Sequence, residues 1–336
     1  MKDKDSNYDI NDIFPKDIRD DFLFPLDSYR LFLEGLSITP SAFYQKWSDV
    51  NVLSIIDKYW KPNQKSDWKW SLTFPFFSLL ENYINTINKP IIIGFSGLPG
   101  SGKSTLGFWI DSVARELSLD IKVISLDDFY LPAQEMDFAM KGNPWNVPRG
   151  FPGSHSLDLL HQSLDVFLKT GILRSPTFDK SLRDGKGDRS GWCELKSKIL
   201  ILEGWFVGCE PVSDLNNIDS LSEDKFNLSL SQDEKDYRSL IQESLIKYSK
   251  IWKKFDKIWH LKSSHFNNTI LWKTQQEEEM IKIRGSGLKG NNLTDFIRMI
   301  QSSIPQQSLS FINADTTVQI NQHRRIDKLL TTNYHF

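Results

Sequence analysis

Cysteine is nearly missing from this chain: Cys193 and Cys209 are the only two in 336 residues. Neither a disulfide framework nor a paired-cysteine zinc motif can be built from them, so a reducing, cytoplasmic setting is the default expectation. Long apolar runs are missing as well. None approaches the roughly 18 residues that a membrane-spanning helix needs. There is no charge surplus, with 41 basic against 43 acidic side chains, which argues against a dedicated nucleic-acid binder. The polar, acidic start fits neither a secretory signal nor an Arg-rich transit peptide. No internal repeat is found. Glycine is absent from the first 88 residues apart from Gly35.

What remains is an ordinary globular composition, 39% hydrophobic and 25% charged, with a heavy aromatic content of 11 Trp and 22 Phe. Residues 1–88 read as an N-terminal helical segment, with Phe43, Trp47 and Val50 at helical spacing behind Pro40 and Ser41. At Lys89 the texture changes. Ile91 to Ser96 is a short continuous apolar run of the kind a buried parallel strand needs. Similar runs follow at Ile121–Leu126, Lys198–Leu202, Lys257–Leu261 and Leu309–Asn313. Helical patterns at Ser156–Leu168 and Tyr237–Phe255 separate some of them, which predicts an α/β domain over 89–336. The stretch 211–235 reads as a surface excursion, and Glu277 to Glu279 as a solvated helix face.

Gly97-Leu98-Pro99-Gly100-Ser101-Gly102-Lys103-Ser104, with Thr105 beside it, matches the phosphate-loop pattern G-x-x-x-x-G-K-[ST]. The motif follows a predicted strand and opens a predicted helix, which is the context that gives it meaning. Its glycines free the backbone to present N–H groups to phosphate oxygens. Lys103 adds charge for the β- and γ-phosphates, and the Ser104 hydroxyl suits Mg²⁺. The chain is therefore expected to bind a nucleoside triphosphate. Gly285 to Gly290 fits G-x-G-x-x-G, but it follows a charged helical stretch and reads as a plain loop.

In open α/β sheets, functional groups stand at the carboxyl ends of the strands. The run from Ile121 ends in Asp127-Asp128-Phe129-Tyr130, and an acid there can take the proton of a substrate hydroxyl. Alternation predicts one functional acid and one supporting acid. The run from Lys198 ends in Glu203, placed to hold the metal with Ser104. Between them lie two Gly- and Pro-rich, loop-like stretches that carry Arg149, His155, Asp179, Lys180, Arg183 and Arg189. The basic residues among them could clamp an anionic small molecule. A helix beginning near Ser154 or Ser156 could add its free N–H groups.

The string Ser125-Leu-Asp127-Asp-Phe-Tyr130 resembles a signature of the phosphoribulokinase and uridine kinase superfamily of P-loop kinases. Asn143-Pro144, Arg149-Gly150, Gly153-Ser-His155-Ser-Leu157, Pro176-Thr-Phe-Asp-Lys180, Gly187-Asp-Arg189 and Leu202-Glu-Gly-Trp205 narrow this further. Together they resemble the D-glycerate 3-kinase family of plant and cyanobacterial type, over about residues 91–280. The resemblance implies a three-layer P-loop fold with a five-stranded parallel sheet. It also implies ATP and Mg²⁺ as cofactors, and transfer to D-glycerate in photorespiratory salvage, with Asp127 as base and Lys103 as its catalytic partner. Trp272-Lys273 to Glu277 looks like the family's lid helix, within about 268–290, with Lys273 where an arginine is expected. Asp128, Tyr130, Asp179 and Lys273 complete the candidate acceptor site. A nucleoside or pantothenate kinase, and a non-catalytic nucleotide-binding protein, are the competing expectations. The lack of an N/T-K-x-D motif disfavours a GTPase switch.

Overall fold

The computed structural model describes residues 26–60, 66–212, 214, 228–285 and 287–331. Residues 1–25 and most of the 211–235 excursion lie outside them. Six strands form the central sheet: β1 (Ile91–Gly97), β2 (Ile121–Ser125), β5 (Ile199–Gly204), β6 (Lys257–Ser263), β7 (Thr316–Ile320) and β8 (Ile326–Thr331). Their spatial order is β2-β5-β1-β6-β7-β8. The first five run parallel, and β8 closes the edge antiparallel to β7. A separate antiparallel hairpin pairs β3 (Ile172–Asp179) with β4 (Asp188–Lys196).

Strand alternation sorts the core into two faces. Ile91, Ile93 and Phe95 of β1, with Ile199 and Ile201 of β5, face one apolar cluster; Ile92, Leu200 and Leu202 face the other. Three N-terminal helices cover the first face: α1 (Leu26–Gly35), α2 (Pro40–Trp47) and α3 (Val50–Tyr59). Ser66–Trp68 then runs through a π-helical turn into α4 (Phe74–Thr86), and α5 (Lys103–Glu116) completes the layer. On the opposite side lie α6 (Ala133–Ala139), α7 (Leu157–Thr170) and α8 (Gln232–Trp252). Then come α9 (Asn268–Arg284), α10 (Gly290–Ser302) and the short α11 (Gln306–Ser310). The result is a helix–sheet–helix α/β architecture.

The N-terminal aromatics belong to the sheet's own core. Phe76 packs 4.5 Å from Trp259 of β6, and Trp60 meets Trp109 of α5 edge-on at 5.1 Å. Each such ring removes about 150–250 Å² from water.

Two sequence expectations are corrected. Leu309–Asn313 is no strand: Pro305 at the N-cap starts α11 there, and the fifth parallel strand is Thr316–Ile320. Part of the stretch read as loop, Pro176–Asp179 and Asp188–Arg189, is strand in the β3–β4 hairpin.

Candidate active site

Register brings the strand ends together. Glu203 of β5 sits opposite Ser125 of β2 and Phe95 of β1. The acids that end β2 therefore stand beside Glu203, and the phosphate-loop motif begins two residues past Phe95, at the end of β1.

Within that loop, Gly100 adopts φ +77° and Gly102 φ +103°, conformations that favour glycine. A Cβ on Gly100 would lie 2.6 Å from the Trp272 backbone, so only glycine lets the loop approach α9 this closely. Ser101 Oγ is buried with no hydrogen-bond partner among the described residues. Ser104 Oγ donates to Glu203 Oε1 at 2.8 Å, while Lys103 Nζ stands 3.7 Å from Glu203 Oε2. A hydroxyl and a carboxylate side by side form a hard oxygen set of the sort that suits Mg²⁺. Beside them a cavity of about 250 Å³ is lined by Ser104, Asp128 and Glu203 together with Phe108, Asp111 and Val123.

Leu126–Phe129 turns in a 3₁₀ helix with a capping box, which separates the two acids. Asp128 Oδ2 turns back to accept from Ser125 N–H at 3.2 Å. Burial pushes its carboxyl up to about 6, with Asp127 and Glu203 adding repulsion. Asp127 instead accepts from Lys180 Nζ at 2.6 Å. Burial alone would raise the Asp127 carboxyl, but the Lys180 ammonium, aided by Lys103, outweighs it and holds the group well below the usual range. Reciprocally, Asp127 raises Lys180. Tyr130, buried in the same wall, stacks on His155 with ring centroids 4.5 Å apart. Burial lowers His155 to about 4, so its ring is neutral near pH 7.

The β3–β4 hairpin carries Lys180 over Asp127, and the other candidates split around it. Arg189 Nε donates to Tyr130 O at 3.2 Å and its second arm to Ser156 Oγ at 2.6 Å, locking the hairpin to the site wall. Arg149 donates to the carbonyls of Gly185 and Lys186 in the hairpin turn. Arg183 is paired with Asp137 of α6. Asp179 caps its own turn by accepting from Ser181 N–H at 2.8 Å. From α9, the mostly buried Lys273 pairs with Glu277. Burial lowers its ammonium, and both Lys180 and Lys103 are close enough to repel it, so it faces the same charge cluster. Glu277 corrects the reading of 277–279 as a solvated face. It is buried, and its second oxygen accepts from Leu288 N–H at 2.7 Å.

Three contributors had no signal in the sequence. Arg324, in the β7–β8 turn, donates to Gly100 O at 2.9 Å, Gln275 Oε1 at 3.0 Å and Trp272 O at 3.4 Å, tying the loop to α9. Its own carbonyl accepts from the Trp68 indole, which also packs on Gly102. Tyr248 lies in the apolar stripe of α8 and read simply as core; its hydroxyl reaches His155 Nδ1 at 2.6 Å.

No family model matches the chain. It is 29% identical over 261 residues to an uncharacterized kinase of Schizosaccharomyces pombe, mug58, covering 73% of this chain and 89% of that one. It is 30% identical over 221 residues to the chloroplastic D-glycerate 3-kinase of Arabidopsis thaliana, covering 62% of this chain but only 45% of that relative. The chain thus spans less than half the length of the plant protein. Among solved structures, D-glycerate 3-kinase from Cryptococcus neoformans aligns with a TM-score of 0.64 at 24% identity, over 76% of this chain and 96% of that one. The YGR205w protein aligns with a TM-score of 0.62 at 27% identity, over 80% and 99%. The chain has the α/β fold of the P-loop kinases, and its kinase homologues support a phosphotransferase. Its homologues include D-glycerate 3-kinase and a kinase of the uridine kinase type.

Proposed function

We propose that this kinase transfers the γ-phosphoryl group of ATP to a hydroxyl of D-glycerate, giving 3-phosphoglycerate. The observation that carries the reading is the Lys180–Asp127 pair, a cation 2.6 Å from the candidate base. Both strand-end acids and the phosphate-loop lysine lie around it. A small anionic acceptor suits such a site, because apolar pockets discriminate small substrates poorly while a charged clamp does not. The names of the plant and fungal relatives favour glycerate as that acceptor.

Lys103 and the loop amides hold the triphosphate, aligned with the positive end of α5. Ser104 and Glu203 would hold Mg²⁺, which when bound neutralises charge on the phosphates. Asp127 accepts the proton of the acceptor hydroxyl as its oxygen bonds to the γ-phosphorus and the bond to the bridging oxygen of ADP breaks. In the resting pair Asp127 is a weak base, because Lys180 holds its carboxyl low. An acceptor carboxylate competes for the Lys180 ammonium. As the pair loosens, the Asp127 carboxyl rises and takes a proton more readily. Substrate binding and base activation are thereby one event.

The Asp127→Asn variant tests this. Turnover falls by about 10²–10⁴-fold while the KM for ATP stays nearly unchanged, because a general base has gone and no phosphate ligand has. Wild-type turnover in steady-state assays of that variant would refute the role of Asp127.

A further inference from the structure

The buried ring of His155 has one nitrogen committed and one without a partner. Nδ1 stands 2.6 Å from the Tyr248 hydroxyl. Nε2 is buried and has no hydrogen-bond partner among the described residues. Such an orphan costs stability unless something supplied later meets it.

The hydroxyl of Tyr248 decides which nitrogen carries the proton. Its oxygen accepts from Gly153 N–H at 3.2 Å. With that donor on its oxygen, Tyr248 has its own proton to give. The neighbour at 2.6 Å that can take it is Nδ1. Ser154 Oγ, 3.5 Å from Nδ1, already donates to Phe151 O at 2.6 Å. Nδ1 is then an acceptor, and the ring proton of the neutral imidazole sits on Nε2. The ring is held in place by its stack on Tyr130, and the charges of Asp127 and Lys180 are both felt at it.

We infer that Tyr248 fixes His155 in a single neutral tautomer, making Nε2–H a dedicated hydrogen-bond donor to an oxygen of the phosphoryl acceptor. The inference rests on the reading of this pocket as the acceptor site. His155 touches the substrate, whereas Tyr248 is a positioning residue acting through it. A neutral donor there fixes the orientation of the acceptor without adding a second cation beside Lys180.

Long-range proton–nitrogen NMR of the full-length protein carrying ¹⁵N-histidine tests the tautomer before any substrate is added. An imine-type signal at Nδ1 and a pyrrole-type signal at Nε2 are expected, and Tyr248→Phe converts them to a mixture. In steady-state assays Tyr248→Phe raises the KM for the acceptor about three- to tenfold, the loss expected when one hydrogen bond is no longer fixed. The KM for ATP changes by less than about twofold, since nothing on the nucleotide side is touched. His155→Gln, which keeps a donor, retains more acceptor affinity than His155→Leu. A pyrrole-type Nδ1 in the wild type, an unchanged tautomer in Tyr248→Phe, or an equal rise in the KM for ATP would overturn the inference. Adding D-glycerate with a non-hydrolysable ATP analogue should shift the Nε2 signal. If another phosphorylated acceptor shifts it and glycerate does not, the donor role stands and the glycerate reading falls. If no acceptor that turns over shifts it, the donor role falls.

Discussion

Lys180 and Asp127 restrain each other, and this mutual hold is the residue-scale centre of the account. The ammonium lies 2.6 Å from the candidate base and is carried by the first residue of the turn that joins β3 to β4. Replacing it with methionine keeps much of the side chain's length and removes the charge. Lys180→Met should raise the KM for D-glycerate at least about tenfold, as expected for loss of a charge-assisted hydrogen bond, with the KM for ATP little changed. Acceptor-varied and ATP-varied kinetics check it, and equal rises in both constants would place Lys180 on the nucleotide instead. At this scale the sequence was most informative. Asp127, Glu203, Lys103 and Ser104 each follow a strand-like run or lie in a motif, so chain order alone nominates them. Arg183 shows the limit. Its type and spacing matched those of its neighbours, and only the fold turns it toward Asp137.

At the scale of elements, connections that carry no pattern along the chain hold the site together. The β3–β4 hairpin escaped detection because only β3 reaches the core, through Leu173, while no residue of β4 is fully buried. Its strand from Asp188 alternates between exposed and half-buried positions, so apolar periodicity never develops. The β7–β8 turn is similar: Arg324 becomes significant only when folding sets it beside Gly100, which lies more than 200 residues earlier in the sequence. Arg324→Ala should raise the KM for ATP about tenfold by releasing the loop from α9. Arg324→Lys should not restore it, since an ammonium cannot copy the fork that reaches three carbonyl-type oxygens. ATP-varied kinetics of both variants provide the check.

Glu234 joins α8 to α10. Its carboxylate accepts from Arg298, Ser302 and the Trp145 indole at 3.1 Å or less. Burial raises this carboxyl, but Arg298, the Ser231 amide and Ser302 prevail and lower it from 4.5 to about 2. A depressed carboxyl stabilises the fold fully above its unfolded value, and that contribution is lost as pH falls from about 4.5 towards 2. Glu234→Gln should therefore cost on the order of 2–3 kcal/mol at pH 7, and the gap from wild type should close in acid. Denaturant titrations from pH 7 to pH 3 measure it; a gap independent of pH would contradict the assignment.

At the scale of the whole molecule, the fold class was legible and the strand count was not. Continuous apolar runs revealed the strands buried on both faces. The last parallel strand, Thr316–Ile320, is short and half polar, so the more apolar Leu309–Asn313 drew the assignment. The aromatic wealth of the N-terminal helices was visible, but its destination was not. Trp60, Phe76 and Trp68 reach α5, β6 and the phosphate loop across distances that sequence spacing cannot encode. No described helix is long and apolar enough to cross a membrane. The layered fold thus brings an N-terminal indole, a C-terminal arginine and a central hairpin to one set of strand ends. Its purpose is read most directly by one assay, in which the full-length protein, ATP and Mg²⁺ are offered D-glycerate, nucleosides and pantothenate in parallel. ADP release is followed, and the product is identified by phosphorus NMR. The account predicts ADP formation well above background with D-glycerate and a single phosphomonoester product on its 3-hydroxyl. No turnover with glycerate, alongside clear turnover with another alcohol, would contradict it.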